Sequence, residues 1–395
     1  MKLPMHEATP NGKFPWKNKI RQSMTFSPPK SPSNRLLVFA AIFFMIIFMS
    51  SAFQGSSRLE LLHADLSRGF LENGIPLKIL QGNVHARQDS LELYCNRAVY
   101  NEQSSVIDLT GNVHLYRGSD TLLAKEVRYF EKTKVAIAEG NVRVFRPAQE
   151  MRSDYLEYNY SNDHIRARGK LFLHDEDNIV FITARQGEYL PDMKYTYVQG
   201  KAHLWRIDST STDTLHIYSR KMEYFFGEHR RAIARDSVNI YQGNLHATCD
   251  SAVYQIAEDI IYLISQPVAI QENNRMSGLT MQLILHNQEL RRIVVEQQAL
   301  AVSMIDSATQ KENRLEGKEL IMYITDRKLR EIQAISNARS FYYLREKEEE
   351  QGINVASADT IKAFLKNDEL DSIAVIGGSQ GVYYPPDYKG KIIQE

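Results

Sequence analysis

The chain has 395 residues, and its 48 basic side chains balance 48 acidic ones, so it lacks the basic excess that would point to a nucleic-acid partner. The 21 tyrosines, with frequent Thr, Val and Ile, favour strands over helices. Length alone suggests two or three domains, but a repeat array can run this long as one unit.

Residues 1–35 hold six of the twelve prolines, and Lys2, Lys13, Lys17, Lys19, Arg21, Lys30 and Arg35 stand against Glu7 alone. Such a composition builds no packed core and predicts a disordered basic segment on the cytoplasmic side. Met5 and Met24 leave other start sites open. Leu36–Phe53 is an uncharged stretch of 18 residues, near the lower limit for crossing a bilayer. Two readings stand: an uncleaved transmembrane anchor in the inner membrane, or a signal sequence cut after Ala52, where Ser50 and Ala52 give a small-x-small site. In either case the rest of the chain lies beyond the membrane.

From residue 58 to 384 the chain repeats. Gly82, Gly111, Gly140 and Gly169 are 29 residues apart (111−82, 140−111, 169−140). The slot recurs at Gly200, then without glycine at Asp236 and Gln266, and more faintly at Gln298, Asn337 and Gly378. A fixed period in this range marks a stacked array. Each unit fits two strands. Around the glycine, apolar residues alternate, as in Ala136, Ala138, Gly140, Val142, Val144 and in Tyr262, Ile264, Gln266, Val268, Ile270. A glycine in mid-strand points to a bend or a close backbone approach.

The second strand carries a small residue and, five places on, a tyrosine: Cys95/Tyr100, Ala124/Tyr129, Ser153/Tyr158, Ala184/Tyr189, Ser219/Tyr224 and Cys249/Tyr254. Its apolar positions change parity at the small residue, which predicts a bulge or corner there. Leu59–Leu80 reads as an incomplete opening copy, with Ala64-Asp65 in the small-residue slot and a turn at Asn73-Gly74. Insertions at Asp208–Thr214, Asp306–Asn313 and Arg345–Gly352 start at one offset from the slot and predict polar loops along one edge. Residues 385–395 read as a tail. Cys95 and Cys249 share a slot in distant copies, which predicts two free, buried thiols.

Candidate chemistry is thin. Gly377-Gly378-Ser379-Gln380-Gly381 matches G-x-S-x-G, but Val382-Tyr383-Tyr384 and two prolines leave no room for the helix that a nucleophile elbow needs. His85, His114 and His203 share one slot without metal-ligand spacing. Asn159-Tyr160-Ser161 fits a short glycosylation pattern. No catalytic residue, metal or cofactor is indicated. What remains is an apolar lining: Val84, Val113, Leu115, Val142, Val144, Leu171, Leu173, Leu204, Val238, Ile240, Val268 and Ile270 face inward in successive copies. They are either a filled core or the wall of an apolar trough, for which the small residues Ala136, Ala138, Ala167, Ala232 and Ala234 leave space.

The phrases Gly82-Asn83-Val84, Gly111-Asn112-Val113 and Gly140-Asn141-Val142, with Cys249-Asp250-Ser251-Ala252-Val253-Tyr254 and more loosely Cys95-Asn96-Arg97-Ala98-Val99-Tyr100, resemble the OstA-like family. The resemblance covers roughly residues 58–300, and 300–384 faintly. It implies an all-β chain, an elongated antiparallel β-jellyroll of two sheets in a V, here following an N-terminal transmembrane helix. It also implies a non-catalytic role in the lipopolysaccharide-transport bridge of a Gram-negative envelope. Expected partners are lipopolysaccharide or another envelope lipid, other jellyrolls joined through end strands, and the inner membrane. The expected location is the periplasmic side of that membrane. The competing reading is a β-solenoid scaffold or adhesin with a sealed core that binds protein partners.

Overall fold

In a computed structural model, residues 58–392 are described, apart from 177–178, 208–213, 226–227, 244, 256, 272–273, 287–288, 307–310, 326–327, 347–348 and 367–368. The apolar stretch 36–53 and the segment before it lie outside the described residues, and among the described residues no helix is long and apolar enough to cross a membrane.

Among the described residues twenty-four strands follow in order: β1 (Glu60–His63), β2 (Leu66–Glu72), β3 (Ile75–Gln88), β4 (Leu91–Asn101), β5 (Val106–Arg117), β6 (Asp120–Phe130), β7 (Val135–Arg146), β8 (Gln149–Asn159), β9 (His164–Asp175), β10 (Val180–Leu190), β11 (Tyr195–Arg206) and β12 (Leu215–Phe225). They continue with β13 (Arg231–Gln242), β14 (Leu245–Gln255), β15 (Ile260–Ile264), β16 (Val268–Gln271), β17 (Asn274–Ser277), β18 (Thr280–His286), β19 (Glu289–Asp306), β20 (Lys311–Thr325), β21 (Lys328–Glu346), β22 (Glu349–Lys366), β23 (Glu369–Ile376) and β24 (Gln380–Tyr384). Every pairing is antiparallel and joins near neighbours in the chain. β3 to β14 form an unbroken meander, and β15 with β16, then β17 with β18, each serve as one interrupted strand against β14 and β19. β1 and β2 share β3 at one end, and β23 and β24 share β22 at the other.

The repeat's glycine has a definite job. Gly140 and Asn141 both take left-handed backbone angles, with φ of 79° and 51°. Together they face the single residue Asp154, because Glu139 pairs with Tyr155 and Val142 with Ser153. The extra residue of the bulge is therefore on the glycine strand, not at the small residue where the parity change suggested it. The small residue marks the opposite side: in β6, Ala124 points in, Lys125 and Glu126 point out, and Val127 points in again. A Cβ on Gly140 would come within 3.0 Å of Lys125 Cβ, which explains both the glycine and the neighbour stacked over it.

The left-handed pair recurs at Asp236-Ser237, Ser265-Gln266, Gln297-Gln298, Ser336-Asn337 and Gly377-Gly378. The slot in the last four copies thus starts one residue earlier than the sequence alignment of the repeats placed it. A one-residue slip exchanges the two faces of a strand. In that copy Leu263, Pro267 and Ala269 are buried, whereas Ile264 and Ile270 are 39% exposed.

The bulge folds each strand in two. Tyr129 lies nine positions along β6 from Asp120, about 30 Å if the strand were straight. Its hydroxyl nevertheless donates to Gln88 Oε1 at 2.6 Å, at the Asp120 end of the array. The sheet therefore doubles back into two leaves. Leaf A carries segments such as Glu126–Phe130 and Val135–Glu139, and leaf B carries Asp120–Ala124 and Val142–Arg146. The bulges form the spine, and the hairpin turns of the two leaves meet along the opposite edge.

The outer faces differ. Leaf A is laced with charged bonds, such as Arg128 to Asp108 at 2.6 Å and Arg166 to Glu188 at 2.9 Å. Leaf B over β9 to β14 carries a row of stacked rings, including His174–Phe181 at 4.3 Å, Phe181–Trp205 at 5.1 Å and Tyr241–His246 at 4.3 Å. Cross-strand ring pairs of this kind stabilise an outward face that has no second layer above it.

Of the three insertions, Asp208–Thr214 lies outside the described residues except for Thr214. β19 runs on to Asp306 and pairs it with Lys311, and β21 and β22 pair Arg345 with Glu350, so two of the three lengthen hairpins. The tail after Tyr384 packs back: the Tyr388 ring lies tilted against Tyr384 with centroids 4.9 Å apart, and Ile392 touches the cluster of Phe341, Ile353 and Tyr384.

Candidate functional site

The apolar lining assembles between the leaves. Val84, Val113, Leu115, Val142, Val144, Leu171, Leu173 and Leu204 belong to one continuous buried cluster, each 5% exposed or less. Val238 and Ile240 open a second cluster that continues to Ile361. Ten of the twelve residues expected to face inward do so. Val268 is half-buried and Ile270 is exposed, because the register of that copy is shifted by one.

The lining is not uniform. Toward the turn edge of leaf A, Ile107, Tyr129, Ala136, Tyr158 and Ile165 are 2% exposed or less. The interior there is closed off from water, and Ala136, Ala138 and Ala167 are each 1% exposed or less. Burial of each large apolar side chain contributes about 1.5–3 kcal/mol, so this part is a stable core. From β12 onward the inward side chains Leu215, Ile217, Met222, Ala234, Ile261 and Leu283 are only partly covered.

Sequence reasoning missed what the tyrosines do. They stand at the turn edge, where the leaves meet, and their hydroxyls cross it. Tyr158 receives a hydrogen bond from Arg146 Nη2 at 3.1 Å and one from Arg117 Nη2 at 3.1 Å, and itself donates to Asp163 at 3.0 Å. Arg117 also forms an ion pair with Asp163 and donates to the Tyr160 carbonyl at 3.0 Å. Arg146 forms a buried ion pair with Asp120 at 3.0 Å, and outside it Lys134 reaches Asp89 at 2.7 Å. Gln88, Arg117 and Arg146 each lie six residues past their glycines, and that polar residue in an apolar-facing position was the legible signal. Burial pushes Tyr189 up to about 12 and raises Tyr129 and Tyr158 further.

Other marked residues have structural partners. His85 stacks on Tyr94 at 4.2 Å, His114 Nδ1 lies 3.0 Å from the Tyr116 hydroxyl, and His203 meets His216 at 3.0 Å. Among the described residues no three His, Cys, Asp or Glu side chains converge as metal ligands. Ser379 follows the left-handed pair Gly377-Gly378 and precedes a strand, so the G-x-S-x-G match is a copy of the bulge. Asn159 Oδ1 accepts from Ser161 N at 2.9 Å and shapes a turn. Cys95 and Cys249 are free and buried, and burial pushes both thiols up to about 11.

Comparison with known proteins gives two findings. Residues 56–212 match the family described as OstA-like protein. The solved structure of LptH from Pseudomonas aeruginosa, described as the LptA-homologous periplasmic component of the lipopolysaccharide transport device, is 15% identical, with a TM-score of 0.25. That alignment covers 27% of this chain and 76% of LptH. No curated protein matches the chain. The family match covers residues 56–212, and the left-handed bulge found in that stretch recurs in the later described strands.

Proposed function

We propose that this protein is a non-catalytic carrier of lipid acyl chains in a Gram-negative cell envelope, acting in lipopolysaccharide transport or outer-membrane assembly. The observation that carries the reading is the apolar interior, which passes from one strand pair to the next through nearly the whole array. An acyl chain gains about 0.8 kcal/mol for each methylene it buries, and near-equivalent copies offer it a row of similar sites rather than one deep well. In this reading the two leaves are the arms of a V-shaped jellyroll, and residues from Val84 to Ile240 form its inner wall. Leu36–Phe53 anchors the chain in the inner membrane or is cut after Ala52, and the β array stands in the periplasm.

The ends suit strand addition to other jellyrolls. β1 and β2 are exposed along their whole length, and Ile376, Val382 and Tyr383 at the far end are about half exposed. An open edge of this kind is an aggregation hazard unless a partner pairs with it.

A second reading, a scaffold with a sealed core that binds protein partners, is favoured by the tight filling over β3 to β11. Photo-crosslinking in cells separates the two. A photoreactive residue at Val238 is expected to capture lipopolysaccharide, and one at outward Arg143 is not. Capture only from Arg143, or of protein alone from both positions, refutes the carrier.

A further inference from the structure

The outward face of leaf B carries three straight rows across β9 to β12. Nearest the spine, each arginine faces a glycine–lysine bulge. Ala184 pairs with Leu171 and Gln186 with Arg168, which sets Arg185 against Gly169-Lys170, and Arg220 is set in the same way against Gly200-Lys201. The first row is therefore Lys170, Arg185, Lys201 and Arg220, all exposed. Two residues nearer the turn edge, Phe172, Thr183, His203 and Tyr218 are cross-strand partners, and beyond them stand His174, Phe181, Trp205 and His216. With strands about 4.8 Å apart, each row is about 14 Å long.

The protein leaves the basic row largely unneutralised. On leaf A outward cations sit on carboxylates: Arg166 lies 2.9 Å from Glu188, and Lys221 and Arg235 lie 2.7 and 2.6 Å from Glu223. On leaf B, Lys170 and Arg220 are 87% and 74% exposed. They stand 4.0 Å from Asp154 and 3.9 Å from Asp236, the carboxylates that bound the row on either side. Arg185 and Lys201 have no ion pair among the described residues. The two ring rows contain no Lys, Arg, Asp or Glu. Phe181 stacks on Trp205 at 5.1 Å and His203 on Tyr218 at 4.1 Å, close to the strand spacing, so the rings stand on edge with their rims outward. Among the described residues neither Trp205 Nε1 nor the Tyr218 hydroxyl has a hydrogen-bond partner.

Indole and phenol rings with an apolar body and a polar rim settle at the level of lipid headgroups, and lysine and arginine beside them meet the phosphates. A free anion uses the basic row and leaves the rings idle, whereas a flat bilayer surface engages all three rows at once. We infer that the outward face of leaf B, over β9 to β12, docks on an anionic phospholipid bilayer. The inference concerns the outside of the array and is independent of the carrier reading. Each basic side chain held near an anionic surface favours the docked state about fivefold, and the attraction fades beyond about 10 Å in 0.1 M salt.

Trp16 and Trp205 are the two tryptophans, so the full chain with Trp16→Phe reports from Trp205 alone. On phosphatidylglycerol vesicles the Trp205 emission is expected to shift to the blue and to be quenched by lipids brominated near the headgroup. On phosphatidylcholine vesicles neither is expected, and the apolar stretch 36–53 is common to both measurements. Arg185→Gln with Lys201→Gln is expected to cut the docked-to-undocked ratio about 25-fold. Lys201→Arg, which keeps the charge, and Lys132→Gln, exposed at a turn of leaf A, should each retain the response. No shift on phosphatidylglycerol, or an undiminished shift in the double variant, overturns the inference. A shift given equally by soluble glycerol phosphate makes the row a site for free phosphate and overturns the bilayer as its occupant.

Discussion

Asp120→Ala tests the turn edge at its buried ion pair. The Asp120 and Arg146 side chains are 8% and 3% exposed, and Arg146 Nε lies 3.0 Å from Asp120 Oδ2. Removing the carboxylate leaves a guanidinium between two apolar leaves. Breaking a buried pair by deleting one partner costs about 3–5 kcal/mol. Arg146 retains its bond to the Tyr158 hydroxyl at 3.1 Å, so the lower end, about 3 kcal/mol, is expected. The paired replacement Asp120→Leu with Arg146→Met removes both charges and is expected to be near neutral or stabilising, as apolar substitutes for buried pairs often are. Urea unfolding followed by circular dichroism gives the free energies. Hydrogen exchange then locates the loss, which in an array should concentrate in β5 to β8 and fade with distance. A single substitution that costs less than about 0.5 kcal/mol, or a double as damaging as the single, would refute the claim that the edge is held by a desolvated charge pair.

The remaining predictions concern the spine, the edge at high pH, one acid-sensitive knot and the thiols. Ala124→Leu overpacks a buried position beside the bulge and should cost about 1–3 kcal/mol, whereas Lys125→Gln on the outward side should stay within about 0.5 kcal/mol; equal effects in a denaturant series would contradict the corner. Burial raises the phenol of Tyr189 to about 12 and raises Tyr129 and Tyr158 as well. Their contribution is therefore complete below the ordinary tyrosine value of 10 and lost as pH climbs through the folded values, so unfolding should set in above pH 10. Phenolate absorbance showing these residues ionising near 10 in the folded chain would negate it. At Glu223 burial acts to raise the carboxyl, but bonds from Lys221, Tyr195 and Arg235 outweigh it and hold it down to about 2. Its stabilisation is present above the ordinary value of 4.5 and fades as pH falls toward 2, and Glu223→Gln should remove that acid-dependent part of the unfolding curve. Cys95 and Cys249, with thiols near 11, should resist iodoacetamide at pH 8 until urea opens the leaves; modification of the native chain would show that the interior is more accessible than its packing implies.

By itself the sequence determined the strand pairs, their period and the inward ladder, because burial on one face of a pleated strand imposes period two and each copy must repeat it. It also marked the spine: glycine accepts the left-handed angle that Gly140 adopts without the Cβ clash that other residues meet. Where the slot lacks glycine that mark fades, and the ladder through Val268 and Ile270 came out one residue off, with Leu263, Pro267 and Ala269 inside instead. Only the tertiary structure decided what the tyrosines and the polar residues near the strand ends are for. Tyr129 and Gln88 are 41 residues apart and meet solely because the bulges fold the sheet back on itself. It also decided where the interior is filled and where it is loosely covered, since the distance between two leaves is set by every strand along them at once and no single repeat encodes it.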